Sequence, residues 1–143
     1  MPAPRQEPIG LTVATTAKKL SRAFDEALAQ AGGSRPVWLV LLALEARRPE
    51  TQRELAAAVG IEGATLTHHL DGMERAGLVK RERLPDNRRV QRVTVTTKGQ
   101  EAFRRLRDAA VAYDARLRDG LDEESLERMR AMLARMAENV ASE

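Results

Sequence analysis

The chain has 143 residues, of which 43% are hydrophobic, 31% charged and only 3% aromatic, with a formal net charge of +3 and no cysteine. That balance excludes a disordered or membrane protein and predicts one soluble domain with a core of Leu, Val, Ala and Met; without Cys there is no disulfide framework and no thiol switch, which points to a reducing cytoplasm. No run of 18 apolar residues occurs and the Pro-rich start MPAPRQEPIG lacks an apolar core, so neither a transmembrane span nor a secretory signal is expected.

Residues 1–8 read as a flexible tail. Over 9–31, Val13, Ala17, Leu20, Phe24, Ala27 and Ala31 recur at steps of four and three, which predicts a helix with one apolar seam, ended by Gly32 and Gly33. Ser34 can cap a second helix that tolerates Pro36 in its first turn, and Val37 to Leu44 is apolar nearly all round, so this helix belongs at the centre until Pro49 closes it. Thr51 and Glu54 have the capping-box spacing, in which hydroxyl and carboxylate satisfy free backbone N–H groups at a helix start. Leu55, Ala56 and Val59 face inward from this short helix and Gly60 stops it.

After the turn, Leu66, Leu70, Met73 and Ala76 form a narrow apolar stripe, and Gly77 fits the left-handed position past a helix end. The opposite face carries Ala64, Thr65, Thr67, His68 and Asp71 and is small and polar. Residues 78–83 and 90–96 alternate partially, with Pro85, Asp86 and Asn87 in the segment 84–89 between them, so a β-hairpin is predicted. Thr97 and Gln100 repeat the capping-box spacing before a helix marked by Phe103, Leu106, Ala110, Tyr113 and Leu117, which Gly120 ends. Asp122 can cap a last helix in which Leu126, Met129, Leu133, Met136 and Val140 keep a heptad-like rhythm.

Helix, turn, helix and a basic hairpin outline a winged helix-turn-helix, which sets one helix in the major groove of DNA and a wing on the phosphates. From Leu78 to Lys98 there are seven basic residues against two acidic ones, so the positive charge gathers where the wing would sit. The predicted fold class is mainly α with a small β-hairpin wing (α+β). Three heptad-like helices lie outside the central module, more apolar surface than one copy needs, so part of it is expected to pack on a second copy.

The stretch TQRELAAAVGIEGATLTHHLDGMERAGLVKRE, followed by PDNRRVQRVTVTTKG and flanked by a helix pair before and two long helices after, resembles the MarR family of bacterial transcription regulators over nearly the whole chain. The resemblance implies one MarR-like domain over 9–143, with the winged helix-turn-helix at about 34–97 and dimerisation helices at about 9–31 and 98–141. It also implies a homodimer that presents two winged helices to a palindromic operator, and a small-molecule effector in the cleft between the layers. Three departures stand out: Gly63 and Gly72 within the recognition helix, the pair His68–His69, and the wing, where the family's Asp two residues before its groove-reaching Arg is matched by Asn87 and Arg89 counting back from Gly99, or by Asp86 and Arg88 counting forward.

The residues assigned to DNA are Ala64, Thr65, Thr67 and His68 on the recognition helix, Asn87, Arg88 and Arg89 on the wing, and Thr51, Gln52, Arg53 and Arg81 on phosphates. Thr offers a hydroxyl and a methyl, His donates or accepts, and Arg suits a narrow minor groove or a phosphate; the bland alternative for each is a solvated side chain. His69 lies on the apolar side and reads as a packing residue. Val13, Leu20, Phe24, Leu117, Leu126, Met129, Leu133, Met136 and Val140 are assigned to the dimer interface. Neighbouring His side chains on a helix diverge by about 100°, so no metal is expected, nor any cofactor. An effector would sit near Trp38 and the segments around Leu20 and Phe103, although Trp38 itself reads as core. The function expected is a repressor on double-stranded DNA that competes with polymerase, its half-sites about 10 bp apart. Its rivals are a winged-helix dimer that binds a protein partner, and a small enzyme, for which the sequence offers no Cys nucleophile, metal cluster, phosphate loop or Ser–His pairing.

Overall fold

The structure is a computed structural model that describes residues 6–141; most of the tail expected over 1–8, and the last two residues, lie outside it. Among the described residues there are six helices and one two-stranded antiparallel hairpin: α1 Ile9–Gln30, α2 Arg35–Arg47, α3 Gln52–Val59, α4 Gly63–Arg75, β1 Val79–Leu84, β2 Asn87–Val95, α5 Thr97–Arg118 and α6 Glu123–Ala141. This is a winged helix with a mainly α architecture. The chain divides into two compact units within α5, the first ending at Ala110 and the second starting at Val111.

The first unit holds the core. Leu28 of α1, Val40 and Leu41 of α2, Leu55 of α3, Leu66, Leu70 and Met73 of α4, and Leu106 of α5 are fully buried, and Val79 and Val93 close the cluster from the hairpin. Each helix thus gives one stripe to a common interior, and burial of a single Leu contributes roughly 1.5–3 kcal/mol. The Trp38 ring stacks on Phe103 with centroids 5.5 Å apart, tying α2 to α5. The expectation of an α2 buried all round is corrected: Leu39 and Leu42 lie on its outer side, exposed.

Local signals explain most boundaries. Ser34 caps α2 by accepting from the Val37 N–H, and α2 ends at Arg47 because Arg48 turns left-handed (φ 43°) before Pro49. Thr51 caps α3 through the Glu54 N–H at 3.1 Å, but the Glu54 carboxylate accepts from the Glu50 N–H at 2.8 Å, one residue before the cap. Gly60 and Gly77 take φ of 79° and 76° past α3 and α4.

Two expectations shift. The hairpin turn is tighter than 84–89: Leu84 pairs with Asn87 around Pro85 and Asp86 alone. The cap of α5 is Thr96 and not Thr97, because the Thr96 hydroxyl accepts from the Gly99 N–H at 3.0 Å and donates to the carbonyl oxygens of Gly77 and Leu78, the nearer at 2.5 Å. That crossing is close. A Cβ on Gly99 would lie 2.0 Å from the Leu78 carbonyl oxygen, so only glycine fits where α5 leaves the hairpin.

The second unit comprises the end of α5 and all of α6. Asp122 caps α6 by accepting from the Ser125 N–H at 2.8 Å, and its hydrogen bonds with the Ser125 hydroxyl and backbone hold its carboxyl below the ordinary value of 3.8. No residue of α6 is buried.

Candidate nucleic-acid interface

One side of the first unit gathers the starts of α3 and α4 and the wing. Thr51, Gln52, Arg53 and Ala56 of the α3 turn, Gly63 and Thr67 of α4, and Arg89, Val90 and Gln91 of β2 line a single groove. The start of α4 is open: Glu62 at its cap makes no side-chain cap bond, and nothing lies within 4 Å of where a Cβ on Gly63 would stand. An uncapped helix start presents backbone N–H groups and the positive end of the helix dipole. The smallness of Gly63 serves no packing within the subunit, and Gly72 is similarly loose, with only the tip of Arg75 at 4.0 Å.

The recognition residues divide into two kinds. Ala64, Thr65 and His68 are exposed, whereas Thr67 is half-buried and already engaged: its hydroxyl donates to the Gly63 carbonyl oxygen at 2.9 Å and accepts from Gln52 Nε2 at 2.8 Å. Gln52 is therefore a link between α3 and α4, and its Oε1 is buried without a hydrogen-bond partner. Arg53 is exposed beside it. His69 is half-buried, consistent with packing, and its ring stands 5.7 Å from that of His68.

The wing owes its shape to an irregular register. Arg83 pairs with Gln91 and the adjacent Leu84 with Asn87, so Arg88, Arg89 and Val90 have no counterparts on β1 and bulge from the ladder. Arg88 and Arg89 are exposed there. Asn87 Oδ1 accepts from the Arg89 N–H at 3.2 Å, an Asx-type contact that fixes the backbone at Arg89. Asn87 thus orients the wing arginine through the main chain.

Arg81, assigned to phosphate with the others, is occupied inside the subunit. Its side chain is only 16% exposed, its guanidinium contacts Asp71 at 2.5 Å and Glu74 at 3.3 Å, and its backbone N–H donates to Glu74 Oε2 at 3.0 Å. The hydrogen bonds to Arg81 hold the Glu74 carboxyl below its ordinary value of 4.5, and those to Glu74, with Asp71, raise the Arg81 guanidinium further above its own. These contacts clamp the base of β1 to the recognition helix, a pairing that no periodicity in the sequence announces.

Apolar faces of both units remain uncovered. On α1, Ile9, Leu11 and Leu20 are exposed, and Val13 and Phe24 are half-buried; on α6, Met129, Met132, Leu133 and Met136 are exposed by 37–57% and Val140 by 86%, with Leu126 half-buried, as is Leu117 near the end of α5. Among the described residues no group of three His, Cys, Asp or Glu side chains is placed to hold a metal, and no single helix is long and apolar enough to cross a membrane.

A basic wing locked to a helix whose open start faces outward is the architecture of DNA-binding regulators, and sequence comparison leads to the same place. The MarR family profile matches residues 34–90. The transcriptional regulator PA3341 is 33% identical, with 94% of this chain and 98% of that one covered and a TM-score of 0.71. The M. tuberculosis transcriptional regulator MosR, solved in complex with DNA, is 29% identical over 94% of this chain and 98% of its own, with a TM-score of 0.68. CouR from Rhodococcus jostii RHA1, bound to p-coumaroyl-CoA, is 26% identical over 92% of each chain with a TM-score of 0.71; the repressor CouR on a 23-mer DNA duplex matches at 27% identity, 91% and 92% coverage and a TM-score of 0.78. The chain belongs to the MarR family of DNA-binding transcriptional regulators.

Proposed function

We propose that this chain is a homodimeric repressor that binds a palindromic operator, with α4 of each copy in the major groove and each wing on the flanking backbone. The observation that carries this reading is the groove itself, in which an uncapped helix start, Arg53 and the bulged Arg89 all meet open solvent on one side. In this reading Ala64, Thr65 and His68 meet base edges, Thr51, Arg53 and the backbone start of α3 at Gln52 meet phosphates, and Arg89, oriented by Asn87, enters the minor groove while Arg88 stays on the rail. Arg81 braces the wing from within.

The uncovered apolar sides of α1 and α6 support pairing with a second copy, which would place the two recognition helices on half-sites about 10 bp apart. For a repressor, the effect on transcription comes from occupying a site that polymerase needs. That such a regulator takes an organic effector is supported by the p-coumaroyl-CoA bound to CouR, and in this chain we place it near Trp38 and Phe103, whose rings stack on each other. The action belongs in the compartment that holds the chromosome.

Sequencing the genomic fragments that the purified protein retains tests the reading directly. Enrichment of one inverted repeat, followed by a mobility shift on that duplex, is the expected result. Weak retardation that ignores sequence would favour a protein-binding winged helix instead.

A further inference from the structure

A threonine hydroxyl has one proton to give and two lone pairs to receive with. In Thr67 the proton goes to the Gly63 carbonyl oxygen and one lone pair takes the amide N–H of Gln52, so the hydroxyl is tied at both ends. Gln52 Oε1, at the other end of that amide, is already buried and unpartnered. Turning the hydroxyl toward a base edge would therefore take the partner of Gln52 Nε2 away and leave both ends of a half-buried amide unpaired within the subunit.

The Thr67 methyl carries no such ties. In the major groove thymine alone offers a methyl, and an apolar contact of threonine with it is a recognised means of direct readout. We propose that Thr67 is a specificity-determining residue that selects a thymine through its methyl group, and that Gln52 is a positioning residue that keeps the hydroxyl off the DNA. The inference rests on the DNA-binding reading above. It divides the recognition face by chemistry: Thr65 and His68 read by hydrogen bonds, Thr67 by apolar contact.

The experiment uses the full chain and a duplex that the wild-type protein has itself selected from a random pool. Each thymine is replaced in turn by deoxyuridine, which removes only the 5-methyl, and affinity is read by fluorescence anisotropy. At one position in each half-site the substitution should weaken binding about fourfold, the worth of one buried methyl. Thr67→Ser keeps the hydroxyl and its bonds and should bind both duplexes equally. Thr67→Val keeps a methyl, drops the hydroxyl and should still tell them apart. Discrimination by Thr67→Ser equal to wild type, loss of discrimination in Thr67→Val, or a specific duplex in which no thymine responds would each overturn the inference while leaving DNA binding intact. A preference for adenine or cytosine that vanishes in Thr67→Val would also overturn it, since the remaining lone pair of the hydroxyl would then be the reader. If the wild-type protein selects no duplex at all, the DNA-binding reading falls first and takes the inference with it.

Discussion

Arg89 owes its place to its neighbours in sequence. Asn87 accepts from its N–H, and the bulge leaves it and Arg88 without partners across the hairpin. A guanidinium held out on a fixed backbone displaces roughly one counterion from DNA when it docks. Arg89→Ala should therefore weaken binding to the selected operator and lower the slope of log K against log salt by about one, measured by titration at several salt concentrations. An unchanged slope would take the wing out of the interface. The positions of Arg88 and Arg89 at the hairpin tip were legible in the sequence from turn residues and charge, but their release from the ladder was not, because a bulge depends on the pairing of two strands. The same is true of Thr67 and Gln52: fifteen residues apart, they meet only once α3 and α4 are folded.

Elements are set by short signals and then corrected by what they touch. The caps at Ser34, Thr51 and Asp122 could be read from spacing alone, because each side chain reaches a backbone N–H three residues on. At α5 two adjacent threonines compete, and spacing to Gln100 favours Thr97. The structure chooses Thr96, whose hydroxyl also ties down the carbonyl oxygens that end α4 and lead into β1. Thr96→Ala should thus cost about 1–2 kcal/mol in urea unfolding, while Thr97→Ala stays within about 0.5 kcal/mol. The clamp from Arg81 to Glu74 is likewise tertiary. Because Arg81 depresses the Glu74 carboxyl below 4.5, the ion pair adds stability above that value and loses it as pH falls through the lowered one. Glu74→Gln should accordingly melt below wild type near neutrality, and the gap should close in scans taken at acid pH, below the depressed carboxyl value. A gap that persists in acid would mean that the carboxylate charge is not what matters.

At the scale of the molecule, the sequence carried the order of elements and the basic wing because both are written in local periodicity and charge. The apolar sides of α1 and α6 were also legible as heptad-like stripes, yet a stripe does not say what covers it. On α6 none of those residues is buried within the subunit, so the helix gains little from its own chain. Leu133→Glu on that face should shift sedimentation velocity from dimer to monomer and reduce operator affinity by at least about tenfold, since two linked contacts become one. A variant that still sediments as a dimer would move the interface elsewhere. The three residues of β2 that stand outside the ladder have a further consequence. Below Arg83 every pair is made without them, so chain can be added or removed at this tip while the core keeps its alignment. The length of the finger is thereby free to drift during divergence, and descendants of one ancestral chain could come to probe DNA to different depths without rebuilding the body that carries them.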